Sequence, residues 1–122
     1  MISSTYLKRV IEKYKNYAII VEGKKDVLAL KSAGFSKVYP LHQNSLSIRE
    51  SIEKIVSQID KKETVTILTD LDKKGEQLQK TIQPILQELG ITIDSSFRKL
   101  LIKANISHIE GIFNFLDKIE DL

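Results

Sequence analysis

The sequence predicts an α/β fold: a compact four-stranded parallel sheet of doubly wound order 2-1-3-4, packed between helices. Three observations lead there. Short, β-branched apolar runs alternate along the 122 residues with stretches of helical apolar spacing, the pattern of a parallel sheet covered on both faces. Two of those runs, Ala18 to Val21 and Val65 to Leu68, stop abruptly before carboxylates: Glu22 after the first, Asp70 and Asp72 after the third. Right-handed crossovers leave few ways to wind such a chain, and the order 2-1-3-4 sets the first and third strands side by side at the switch point. Periodicity makes that meeting possible without establishing it.

Each element has its own warrant. Residues 3 to 16 predict a first helix, with Leu7, Val10, Ile11 and Tyr14 on one face and Ser3 or Ser4 as its cap. The first strand ends in Glu22 and Gly23, and a helix follows from Lys24 to Ala33, stopped by Gly34. Lys37 to Leu41 is the second strand, and Pro40 places it at a sheet edge or at its own end. His42, Gln43 and Asn44 open a polar loop. Ser47 and Glu50 then form a capping box for a helix reaching about Asp60.

The third strand follows, then a helical pattern from Gly75 to Leu89 that contains Pro84, which either kinks it or starts a second segment. Residues 91 to 94 make a short fourth strand. Phe97, Leu100, Leu101 and Ala104 mark another helix, and Ile109, Ile112, Phe113, Leu116 and Ile119 a closing one. Tyr6, Tyr14 and Tyr17 fall on or beside an apolar face and are expected to pack. No repeat, linker or low-complexity tract interrupts the chain, so a single domain is expected over 1–122, with its core at about 17–94 and helical extensions at both ends.

Composition excludes several classes. With 42% hydrophobic and 29% charged residues the chain is that of a globular protein, and no apolar run approaches a membrane span. The N-terminus lacks the apolar core of a secretory signal, and without cysteine there is no disulfide framework or thiolate metal site. A cytoplasmic location is the expectation. The net charge of +3 permits a nucleic-acid partner, and its cations are mostly lysine, suited to neutralising phosphate more than to reading bases.

The acids are the chemical signal. On an extended strand, Asp70 and Asp72 would point to one spot, a costly pairing unless a cation or a shared proton offsets it. Equally, Asp72 could cap the next helix and Asp70 be solvated.

The segments IIVEGKKDVLALKSAGF and TILTDLDKKG, residues 19–35 and 66–75, together resemble the two signature motifs of the Toprim domain, shared by topoisomerases, bacterial-type primases, nucleases, recombination mediators and a ribosomal-RNA-maturing ribonuclease. Glu22 and Gly23 match the first motif; Asp70, Asp72 and Gly75 match the second. The resemblance covers most of the chain and implies a Rossmann-like Toprim fold, in a small standalone member similar to the Toprim half of the RNA maturase. The larger members' added domains do not fit into 122 residues, so a primase or topoisomerase acting alone is not expected.

The resemblance further implies a Mg²⁺ site, with Mn²⁺ as the other candidate, formed by Glu22, Asp70 and Asp72, since a hard carboxylate set suits those ions. Asp70 and Asp72 would hold the metal, and Glu22 would be a further ligand or the general acid/base for phosphoryl transfer. Gly23 and Gly75 would serve turns. Lys24 and Lys25 follow Glu22, while Lys73 and Lys74 follow Asp72. At least one of each pair is expected to meet a nucleic-acid phosphate, the alternative being that they solvate helix starts. His42 lies in a loop on the same edge, and Asp26 reads as a first-turn acid. His108 and Glu110 read as a cap or surface pair.

The implied function is phosphotransfer on RNA or DNA, most simply nuclease cleavage. The alternative is a binding or assembly module that uses the same site for docking. A partner protein would supply specificity, and the chain would act as a monomer or homodimer. A haloacid-dehalogenase-type phosphatase ranks last, because its Asp-x-Asp ends the first strand of its fold, not the third.

Overall fold

The computed structural model describes residues 2–42, 45–109, 111, 112, 114 and 115. Four strands pair in parallel in the order β2-β1-β3-β4, as the switch-point argument expects. They are β1 (Ala18–Val21), β2 (Lys37–Pro40), β3 (Thr64–Ile67) and β4 (Thr92–Asp94). In register, Ile19 lies opposite Val38 on one side and Thr66 on the other.

Among the described residues five helices flank the sheet: α1 (Ser4–Tyr14), α2 (Lys24–Ser32), α3 (Ile48–Val56), α4 (Lys73–Glu88) and α5 (Ser96–Lys103). The alternation of side chains along β1 divides the core. Ile19 and Val21 pack with Leu7, Ile11, Leu30, Phe97 and Leu101, from α1, α2 and α5. Ala18 and Ile20 face the other way, onto Ile52, Ile55, Ile82 and Leu86, from α3 and α4. With both faces covered, β1 is fully buried.

Local chemistry sets the helix ends. Ser3 caps α1 by accepting the Tyr6 N–H, and Ser47 with Glu50 forms the expected capping box of α3. Gly34 and Gly90 follow α2 and α4 at φ of 100° and 78°, a conformation that favours glycine. Pro40 lies on an edge strand. Helix α4 runs through Pro84 as one element.

Two boundaries differ from expectation. α3 ends at Val56 and not near Asp60, because the chain tightens into turns, with the Gln58 N–H donating to Ile55 O and the Ile59 N–H to Val56 O. β3 ends at Ile67, before the acids. Among the tyrosines, Tyr14 is buried and stacks on Phe97 with centroids 4.2 Å apart, and Tyr17 packs against Tyr14, but Tyr6 is 52% exposed. Ile109 and Ile112 of the closing segment are buried in the core; Phe113, Leu116 and Ile119 lie outside the described residues. No helix among the described residues is long and apolar enough to cross a membrane.

Candidate metal and phosphate site

The acids come together by a route other than strand alternation. After Ile67 the Leu68 N–H still donates to Ile20 O of β1, and the chain then leaves the sheet. Asp70 therefore sits in the β3–α4 loop, and Asp72 is the N-cap of α4, its Oδ1 accepting the Gly75 N–H at 2.8 Å. The expectation that one strand face presents both is corrected. Asp72 takes the cap role, and Asp70 is half-buried rather than freely solvated.

The loop is folded tightly on itself. The Thr69 hydroxyl donates to Gly75 O at 2.6 Å. A Cβ on Gly75 would lie 1.6 Å from Asp70 O, so only glycine fits this close approach. Gly23 has no such requirement: it N-caps α2 in extended backbone, and a Cβ there would meet nothing within 4 Å. Its N–H donates to Asp26 Oδ2.

Glu22 joins three segments. Its Oε1 accepts the Asp70 N–H at 3.1 Å, and its backbone oxygen accepts the His42 N–H at 3.0 Å. Glu22, Asp70, Asp72, His42 and Lys74 all line one cleft of about 420 Å³, which Gln77, Leu78 and Thr81 of α4 also line. Lys24, Lys25 and Lys73 are exposed at the first turns of α2 and α4 but do not line it. Gln43, Asn44 and Glu110 lie outside the described residues.

The electrostatics are those of an acidic cluster short of cations. Burial raises the Asp70 carboxyl above the usual range, and the negative charges of Glu22, Asp26 and Asp72 raise it further, with His108 opposing them. No hydrogen bond to the Asp70 carboxylate is present among the described residues.

Arg98 of α5, 4% exposed, stands behind the loop. Its Nη1 donates to Thr69 O at 2.7 Å and to Thr69 Oγ1 at 3.0 Å, while Nη2 donates to Asp70 O at 2.7 Å. The guanidinium thus fastens the backbone that presents Asp70 and remains charged. Sequence reasoning missed it. The available signal was an arginine beside Phe97 and Leu101 on the apolar stripe of a helix, where a cation needs internal partners.

A divalent ion fits this donor set. The cleft offers carboxylate oxygens whose negative charge Lys74 and Arg98 offset only in part, which a hard cation relieves. Among the described residues no three acidic or histidine side chains are close enough to ligate one ion by themselves. One or two carboxylates, with water or phosphate oxygens beside them, match the way Mg²⁺ is commonly held.

The model of the Toprim domain matches residues 17–97. A UPF0292 protein of Pyrococcus abyssi is 34% identical over 111 residues, covering 86% of this chain and 80% of its own. A UPF0292 protein of Methanocaldococcus jannaschii is 32% identical over 122 residues, covering 92% of this chain and 91% of its own. A solved structure of an Aquifex aeolicus protein is 31% identical and superposes with a TM-score of 0.71, over 88% of this chain and 95% of that one. Toprim domains bind divalent metal ions and serve functions related to nucleic acid. With the parallel sheet and the acids at its switch point, these likenesses establish that the chain belongs to the Toprim domain family.

Proposed function

We propose that this single-domain chain is a Mg²⁺-dependent phosphotransfer enzyme of the cytoplasm, and specifically a nuclease that cleaves RNA or DNA phosphodiesters. The observation that carries the reading is the convergence of Glu22, Asp70 and Asp72 on one cleft beside Lys74 and His42, with the Asp70 carboxyl pushed up by burial and then by its neighbours' charge. Asp70 and Asp72 would hold the ion, Mg²⁺ or Mn²⁺. When bound, the ion would offset charge on the phosphate and on the leaving oxygen.

The chain's own groups do the rest. Glu22 keeps one oxygen on the Asp70 N–H, which fixes its carboxylate and leaves the other oxygen to take a proton from an attacking water. Lys74 lines the cleft at the positive end of the α4 dipole, where it would meet an incoming phosphate. Lys24, Lys25 and Lys73, exposed at the flanking helix starts, would neutralise the strand on either side, and His42 would line its path.

One observation favours a second reading, a binding or assembly module. Glu22 and Asp72 each give a carboxylate oxygen to a backbone N–H, so part of the acid set is engaged in holding the loop.

The deciding test is cleavage of end-labelled RNA and DNA with Mg²⁺, Mn²⁺ or EDTA, with wild type beside Glu22→Gln and Asp70→Asn. The expected result is metal-dependent cleavage that falls at least about 100-fold in both variants, the usual loss when a positioned acid or base is removed. Metal binding without cleavage of either polymer would favour the module, with a partner protein supplying the chemistry.

A further inference from the structure

We infer that the groove between α1 and α5 is a second nucleic-acid contact, one that takes single-stranded segments by stacking a base on Tyr6 and neutralising phosphates with Lys13, Lys99 and Lys103. The groove has a volume of about 360 Å³ and is lined by those four residues together with the buried Tyr14. None of the five belongs to the acid cleft.

Charge supports an anionic occupant. Leaving out Arg98, which is buried against the β3–α4 loop, the two helices hold five cations (Lys8, Arg9, Lys13, Lys99 and Lys103) and one carboxylate, Glu12. Their net charge of +4 exceeds the +3 of the whole chain, so the rest of the molecule is slightly acidic. Glu12 is already paired with Lys15 at 2.9 Å. Among the described residues Lys13, Lys99 and Lys103 make no ion pair, and all three are exposed. Asp94, near the start of α5, accepts the Phe97 N–H and faces the Tyr14 hydroxyl.

The aromatic argues for a single strand. Tyr6 is 52% exposed although its helix has a well-buried face in Leu7, Ile11 and Tyr14. An exposed ring among lysines without ion pairs, one of them (Lys13) lying over the Tyr14 ring, offers a stacking platform along a phosphate track, which suits unpaired bases and not a closed duplex. Because these groups stand outside the acid cleft, the groove would hold a strand whether or not the acids cut it. The inference rests on the functional reading only for the class of ligand.

The test is fluorescence anisotropy of a labelled 12-nucleotide single strand and of the matching duplex, in EDTA and low salt. Wild type is compared with Tyr6→Ala, with the pair Lys99→Ala and Lys103→Ala, and with a control pair of the same charge change, Lys61→Ala and Lys62→Ala. Circular dichroism checks that each variant is folded. The expected result is single-strand affinity about tenfold weaker in Tyr6→Ala. The Lys99/Lys103 pair should bind more weakly still, with a salt slope shallower by about 1.4, and the control pair should match wild type.

Equal loss in the control pair, or no loss in the groove variants, would overturn the inference. So would polyglutamate of matched charge binding as tightly and indifferently to Tyr6→Ala, which would point to an acidic protein partner. Cleavage assayed separately in Mg²⁺ distinguishes the two readings. Groove-dependent binding without cleavage removes the nuclease, while cleavage with groove-independent binding removes this site alone.

Discussion

Asp70 concentrates the tension of the site in one side chain. Its carboxyl is raised by burial and by Glu22, Asp26 and Asp72, so the folded protein binds this proton more readily than the unfolded chain does. The folded state therefore bears the full cost of the charge at pH above the raised value, and is relieved as pH falls through it toward the unfolded value. Asp70→Asn should accordingly melt higher than wild type at pH 7 in EDTA, and the gap should close under acid; a lower melting temperature at pH 7 would contradict this account. Arg98 predicts the opposite sign. Arg98→Met would strand the Thr69 and Asp70 carbonyls that the guanidinium now satisfies, at a cost of about 3 kcal/mol in urea unfolding. The identities of the acids were legible in the sequence, because a carboxylate directly after a buried strand is conspicuous. Arg98 was not, because its partners are backbone oxygens 28 and 29 residues away, and no local pattern records them.

At the scale of elements, strands and caps were readable and the reach of β3 was not. Ser3, Ser47 and Gly34 act through bonds and conformations local to their own sequence, which is why they can be read without the fold. β3 stops at Ile67 because the carbonyls of Thr69 and Asp70 are taken by Arg98 and not by a neighbouring strand, a tertiary competition that periodicity cannot see. Pro84 shows the same limit. The sequence allowed a kink or a new segment, and α4 continues through it because Ile82 and Leu86 on either side are fully buried against the sheet. Pro84 itself is exposed. Its missing N–H leaves a carbonyl one turn back without its helical partner, so Pro84→Ala should stabilise the protein by about 1–3 kcal/mol in urea unfolding. Loss of stability would mean instead that the helix depends on a bend at this point.

For the molecule as a whole, a divalent cation in the acid cleft would act as a ligand of the folded state. Mg²⁺ at a hundredfold excess over its dissociation constant should add about 2.7 kcal/mol of stability through binding to the folded state alone. A rise in melting temperature with Mg²⁺ in wild type, and none in Asp70→Asn, is the expected calorimetric result; an equal rise in both would place the ion elsewhere. The fastening of the β3–α4 loop also bears on how the protein is made. The loop's own residues emerge early, but its clasp, Arg98, is synthesised after β4, and the Leu71 N–H waits for Ser107 O. Domains emerging from the ribosome fold as their contacts become available. A nascent chain that has reached only α4 thus has its acids and the loop's own bonds, but lacks the Arg98 clasp. The loop can be fastened only once the chain has been made through Ser107, so a chain terminated before that point would be released with its acids unclasped.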